Sequence, residues 1–301
     1  MIRKLIGQGL GGMTIHLPKK WIEAYHLSKG DDIYIDDAEG KLIISPKSQK
    51  LKRETTIKLI GLEESLIRIL IGNTYRLGFD KIVVEFESEK QFEILQEVIQ
   101  KRTIGFEIVK KENKKCIVEN VTEPSEDQFD NILLKIFMNI DELFEETSKR
   151  LNLVKGEKQE NIDEIEDRII RYDQFCRRIL LKKRFEPKSS LHLAFILMII
   201  HGQRELYYLT KAVSKENKFS KETLALFSKI LELYRLVKEA YLAKESSQLA
   251  QINKQGRDII YKKGYSLIEK TKGKESIIIY HLLACARNFY QSVSSLSGLL
   301  L

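Results

Sequence analysis

Apolar positions along the chain fall into three regimes. Up to about residue 50 they alternate in short runs between turn residues. Residues 2–6 and 13–17 read as strands around a glycine-rich turn, and 18–25 as a short helix. Residues 32–36 and 41–45 read as strands joined at Glu39-Gly40. Pro18 suits the first turn of a helix, and Gly30 sits in the Ser28-Lys29-Gly30-Asp31 turn beyond it. From 51 to 122, strand and helix periods take turns. Thr55–Ile60 and Lys81–Phe86 read as strands, Glu63–Leu77 and Glu89–Lys101 as helices. Phe106–Lys110 and Lys115–Val121 form a hairpin across Glu112-Asn113-Lys114, which completes a βαβαββ unit.

Beyond residue 122 the period of two disappears. Phe129, Ile132, Ile136, Ile140, Leu143, Thr147 and Leu151 recur at spacings of three and four, and Ile162, Ile165, Ile169, Tyr172, Cys176 and Ile179 repeat the pattern. Further helices fit 188–214, 219–247, 249–270 and 275–298. Breaks fall near Gly156, Pro187, Ser214-Lys215-Glu216-Asn217 and Gly273. Six helices with short connections predict an antiparallel bundle. Arg204 and Tyr207 recur as Arg287 and Tyr290, which suggests two repeats of three helices. The fold expected is therefore multidomain α+β: a β-rich domain over 1–50, a small α/β domain over 51–122, and a six-helix domain over 123–301.

Composition narrows the function more by exclusion than by assertion. A net charge of +8 permits an anionic partner without identifying one. Cys116, Cys176 and Cys285 are widely spaced and form no zinc motif, which fits buried thiols in a reducing cytoplasm. The longest apolar run, Leu193–Ile200, is too short to span a bilayer, so no membrane insertion is expected. There is no P-loop, no HExxH and no Ser/His/Asp set, and the chain reads as a non-enzyme without a cofactor. His192, His201 and His281 lie on apolar helices and read as core or boundary residues. Gly7, Gly9 and Gly12 spell G-x-G-x-x-G, the dinucleotide fingerprint. The residues after Gly12 are a β-branched alternation and then Pro18, not a long helix, so the glycines shape a β turn. His16 faces solvent in this pattern and Trp21 reads as a core plug.

The run GGMTIHLPKKWIEAYHLSKGDDIYIDDAEGKLIISP resembles the AbrB/SpoVT/MazE swapped-hairpin DNA-binding domain. Its order is a strand ending in apolar-Pro, a short helix, an apolar-x-x-Gly-Asp turn and a hairpin. The resemblance implies a homodimer interlocked through residues 1–50 and a basic face on double-stranded DNA. Here the basic positions are Arg3, Lys4, Lys19 and Lys20. Lysine lacks the planar fork of arginine, so this set favours backbone contact and shape over bidentate base readout.

The helical segment, placed after such a domain and an α/β unit, resembles archaeal-type PhoU-domain phosphate uptake regulators. The runs YDQFCRRIL (172–180) and IIHGQRELYYL (199–209) carry the likeness. It implies two three-helix bundles and a role in phosphate homeostasis, the DNA-binding regulator being the leading reading. The alternative is a PhoU-like adaptor that docks on a phosphate transporter or signalling protein. PhoU bundles hold metal through acidic pairs on their helices. Here Gln203 and Tyr207, and again Ala286 and Tyr290, stand where those acids belong, and Lys254 with Asp258 replaces a carboxylate pair. No metal site is carried over. The residual candidates are Asp163, Asp167 and Asp173, which together with Glu166 read as a solvated helix face.

Overall fold

The computed structural model describes residues 2–9, 11–38, 41–46, 53–122, 128–152, 160–182, 188–213 and 218–301. The turn expected at Glu39-Gly40 and the breaks at Gly156, Pro187 and 214–217 lie outside the described residues. The chain divides into two compact units, Met1–Lys52 and Arg53–Leu301.

In the first unit, β1 (Ile6–Gln8) and β2 (Gly12–Thr14) form a short antiparallel ladder, Ile6 opposite Thr14 and Gln8 opposite Gly12. α1 (Lys19–Ala24) comes next, and β3 (Ile33–Ala38) pairs with β4 (Lys41–Pro46). The first two strands are shorter than the alternation predicts and lie nearer the turn. Gly9 and Gly11 take φ of +63° and +90°, and their turn brings Gly12 so close to Gln8 that a Cβ there would meet the Gln8 carbonyl at 2.9 Å. Residues 2–5 and 15–18 continue both strands outward but belong to no ladder within the chain.

The second unit begins with the predicted βαβαββ order. It comprises β5 (Glu54–Lys58), α2 (Glu64–Arg76), β6 (Lys81–Glu85), α3 (Glu89–Arg102), β7 (Phe106–Glu112) and β8 (Lys115–Asn120). The sheet order is β5-β6-β8-β7. β5 and β6 run parallel across the α2 crossover, and β8 is antiparallel to both of its neighbours. One sheet face, through Ile57, Ile82, Val84 and Val118, closes a core with Ile67, Ile71 and Leu95 of the two helices. Ser88 caps α3 by accepting from the Gln91 N–H. Buried Gln91 in turn donates to the Leu59 carbonyl at 2.7 Å.

The helices are α4 (Phe129–Leu151), α5 (Ile162–Lys182), α6 (Ser189–Ala212), α7 (Lys221–Ala243), α8 (Leu249–Arg257), α9 (Tyr265–Lys270) and α10 (Lys274–Leu299). The predicted helix 249–270 is not one regular helix. A π-helical segment, Asp258–Gly264, joins α8 to α9. Gly256 and Gly264 both lie against α10, where added Cβ atoms would meet Tyr290 at 2.5 Å and Leu283 at 2.0 Å. Residues eight apart on a regular α-helix are offset by about 80° and already share a face.

α6 and α10 pack antiparallel along their length. Gly202 sits against Phe289, Gly298 against Leu191, and the Lys188 amino group reaches the Leu299 carbonyl at 3.2 Å. The helices equivalent under the proposed repeat are thus each other's main neighbours. Phe137, Phe144, Phe195, Tyr234 and Phe289 fill the middle of one continuous helical core.

Candidate nucleic-acid interface

In the first unit none of residues 2–9, 11–35 and 42–46 is buried. Ile2 is 96% exposed, Leu5 68%, Met13 66% and Leu42 68%. Such a density of bare apolar side chains in about fifty residues means that one copy does not enclose a core. Trp21, read as a core plug, is half-exposed in the single copy, and its ring meets Tyr25 at 5.2 Å. His16 is exposed, as its place in the alternation requires.

The four predicted basic residues lie outside the short ladder. Arg3 and Lys4 precede β1, and Lys19 and Lys20 open α1 behind Pro18, whose carbonyl accepts from the N–H groups of Trp21 and Ile22. All four are exposed. Lys19 faces Glu23 at 3.7 Å, one turn on, while Arg3, Lys4 and Lys20 form no ion pair among the described residues. No acid stands in the first turn of α1 to neutralise the lysines. The Ser28-Asp31 turn is closed by the Asp31 carboxylate, which accepts from the Ser28 N–H at 2.7 Å, with Gly30 at φ +100°.

The residual metal candidates do not come together. Asp163 accepts from the Tyr207 hydroxyl at 2.5 Å and pairs with Lys211 at 2.9 Å; these two hydrogen bonds hold its carboxyl below the ordinary aspartate range. Asp167 is taken by Arg102 of α3 at 2.9 Å. Asp173 is buried and paired with Arg177 at 2.7 Å; burial raises its pKa against the pull of that arginine. Glu166, also buried and raised by burial, accepts from the Gln203 side chain. The solvated-face reading holds for Asp163, which is exposed, and is corrected for buried Glu166 and Asp173 and for largely covered Asp167. α6 lies on one side of α5 and α2 and α3 on another, and these acids meet partners there. Among the described residues, no three His, Cys, Asp or Glu side chains converge as metal ligands would.

The same helix carries a residue to which patterning assigned no role. Arg178 is 1% exposed. Its guanidinium donates to the Tyr75 and Phe79 carbonyls at 2.8 Å each and to Asp80 at 2.7 Å, and it packs against the Tyr75 and Phe106 rings, which themselves meet edge to face. It pins the α/β layer to the helices. The signal in the sequence was the Gln174/Arg178 pair, four apart and off the apolar seam, where α5 meets α2 at Gly72.

No helix among the described residues is long and apolar enough to cross a membrane. No curated protein and no solved structure matches the chain. Residues 14–52 match the family described as antidote-toxin recognition MazE, bacterial antitoxin, a stretch that includes Lys19 and Lys20 and leaves Arg3 and Lys4 just ahead of it. The amino-terminal unit is thus a MazE/AbrB-like domain, of the kind expected in a DNA-binding regulator.

Proposed function

We propose that this protein is a cytoplasmic, non-enzymatic DNA-binding regulator that works as a homodimer. The observation that carries the reading is the amino-terminal unit's lack of a core. Residues 2–5 and 15–18 flank the short strands without joining a ladder, and Ile2, Leu5, Met13, Ile15 and Leu42 are bare. A second copy supplies the missing strands and covers these side chains. Interlocking also doubles the basic set Arg3, Lys4, Lys19 and Lys20 on one assembly. The contacts expected are to phosphates, so affinity comes from counterion release and falls steeply with salt.

The helical region is the sensory or interaction part in this proposal. Two helical triplets joined along α6 and α10 support a PhoU-like arrangement, and the link to phosphate uptake rests on the resemblance of residues 172–180 and 199–209. Recovery of bound DNA from phosphate-rich and phosphate-poor cells tests that link, with sites near phosphate transport genes as the expected result.

DNA binding itself is tested by titrating duplex DNA over a range of salt. Lys19→Ala should lower the log–log salt slope by roughly 1–2 per dimer, and Lys19→Glu with Lys20→Glu should weaken binding to every sequence. Unchanged affinity in the folded double variant would refute the basic face.

A further inference from the structure

The second helical triplet holds a cavity of about 900 Å³, bounded by α7, the π-helical segment, α9 and the start of α10. That is within the usual range for a small-molecule site. Five lysines line it, Lys229, Lys262, Lys263, Lys270 and Lys272, against three acids, Glu222, Asp258 and Glu275.

Two of those acids are already engaged. Glu275 accepts from the Ser220 N–H at 2.8 Å, the Ser220 hydroxyl at 2.7 Å and the Thr223 hydroxyl at 2.6 Å, tying the start of α10 to the cap of α7. Asp258 is taken by Lys263 at 2.8 Å, with Lys262 at 3.9 Å. The first of these contacts spans five residues, the step that a π turn stacks.

Lys229 of α7 and Lys263 of the π-helical segment both line the cavity, and their like charges repel. Lys263 is held above the ordinary lysine range, chiefly by Asp258, whereas Lys229 is pushed below it, chiefly by Lys263. With five lysines against three acids, two of which are engaged, the cluster is short of negative charge, and it sits beside apolar surface from Ala225, Leu226 and Leu267.

We propose that this cavity binds a small molecule bearing clustered phosphoryl groups, with the anion held by Lys229 and Lys263 together and an apolar remainder over Leu226 and Leu267. A single carboxylate can bridge two ammonium groups but brings only one charge against the excess of lysines. A phosphoryl group presents several acceptor oxygens and more charge, and lysine is a common point-charge partner for it. The assignment goes beyond DNA binding and does not depend on it.

The test is calorimetric titration of the full chain at low salt, without DNA, using inorganic pyrophosphate and ADP separately. Pyrophosphate should bind saturably at one site per chain. Tighter binding of ADP assigns the apolar surface to the ligand's organic part, and equal binding assigns the site to the anion alone. Lys229→Gln should weaken binding roughly tenfold or more. Because it removes a repulsion, it should leave the free protein's melting temperature unchanged or higher. Lys90→Gln, on α3, should bind as the parent does.

Four results would overturn the proposal. They are no saturable heat up to millimolar ligand, full binding by Lys229→Gln, equal weakening by Lys90→Gln, or lost binding together with a lower melting temperature. The last would make the lysine pair a support of the fold.

Discussion

Arg178 is the residue at which the α/β layer and the helices depend on one side chain, and Arg178→Ala measures that dependence. The substitution removes three hydrogen bonds, at 2.7–2.8 Å, from a guanidinium that is 1% exposed. It also removes the cation packed against the Tyr75 and Phe106 rings. Breaking a buried ion pair by deleting one partner costs about 3–5 kcal/mol. Asp80 keeps part of its compensation, because Lys182 stands 3.3 Å away and the Arg53 N–H donates at 3.1 Å. The expected loss is therefore at the low end, about 3 kcal/mol, or about two decades in the folding equilibrium.

Urea denaturation followed by far-ultraviolet circular dichroism reads this loss as a lower midpoint. Hydrogen exchange should show β5, β6 and α2 losing protection before the helices do. Acid adds a second signature. Burial pushes the Asp80 carboxyl up, but the Arg53 N–H together with Lys182 and Arg178 outweighs it, so the native pKa lies below the ordinary value. A depressed carboxylate stabilises above its unfolded pKa and loses that contribution as pH falls through the native one. The parent should thus lose stability below about pH 4, and Arg178→Ala should lose less over the same interval. A variant within 1 kcal/mol of the parent at pH 7, a threshold set at roughly one ordinary hydrogen bond, would sink the reasoning.

Three further outcomes are expected. Gly105→Ala should cost about 3 kcal/mol or more in thermal or urea melts, since Gly105 has φ +81° and its added Cβ would stand 1.7 Å from the Thr122 carbonyl oxygen. Glu166→Gln should raise the melting temperature at pH 7. Burial lifts the Glu166 pKa against its bond from Gln203, so the folded state binds a proton more tightly, and stability falls as pH rises above the ordinary glutamate value; the glutamine variant should lack that slope. A fragment of residues 1–52 should sediment as a dimer whose melting temperature rises with concentration, while 53–301 should remain helical and lose DNA binding. A monomeric 1–52 fragment with a concentration-independent melt would count against the interlocked dimer.

The sequence by itself determined element type and order. Periods of two and of three to four are local properties, and Pro18, Gly30 and Gly273 mark joints; the βαβαββ order and the helical stretches come from these alone. It also carried the amino-terminal likeness, because that domain is recognised by a local order of strand, apolar-Pro, helix and Gly-Asp turn.

Tertiary structure decided what depends on partners distant along the chain. Glu166 and Asp167 read as a solvated face until α6 and α3 bring Gln203 and Arg102 to them. The close approach of α10 at Gly256 and Gly264 is likewise visible only in three dimensions. Trp21 is half-exposed in one copy, because fifty residues do not enclose a core by themselves. Arg178 shows the reason most plainly. A charge next to an apolar seam looks like surface in one dimension, and it becomes a buried anchor only when the Tyr75 and Phe79 carbonyls and Asp80, about a hundred residues earlier, converge on its five donors.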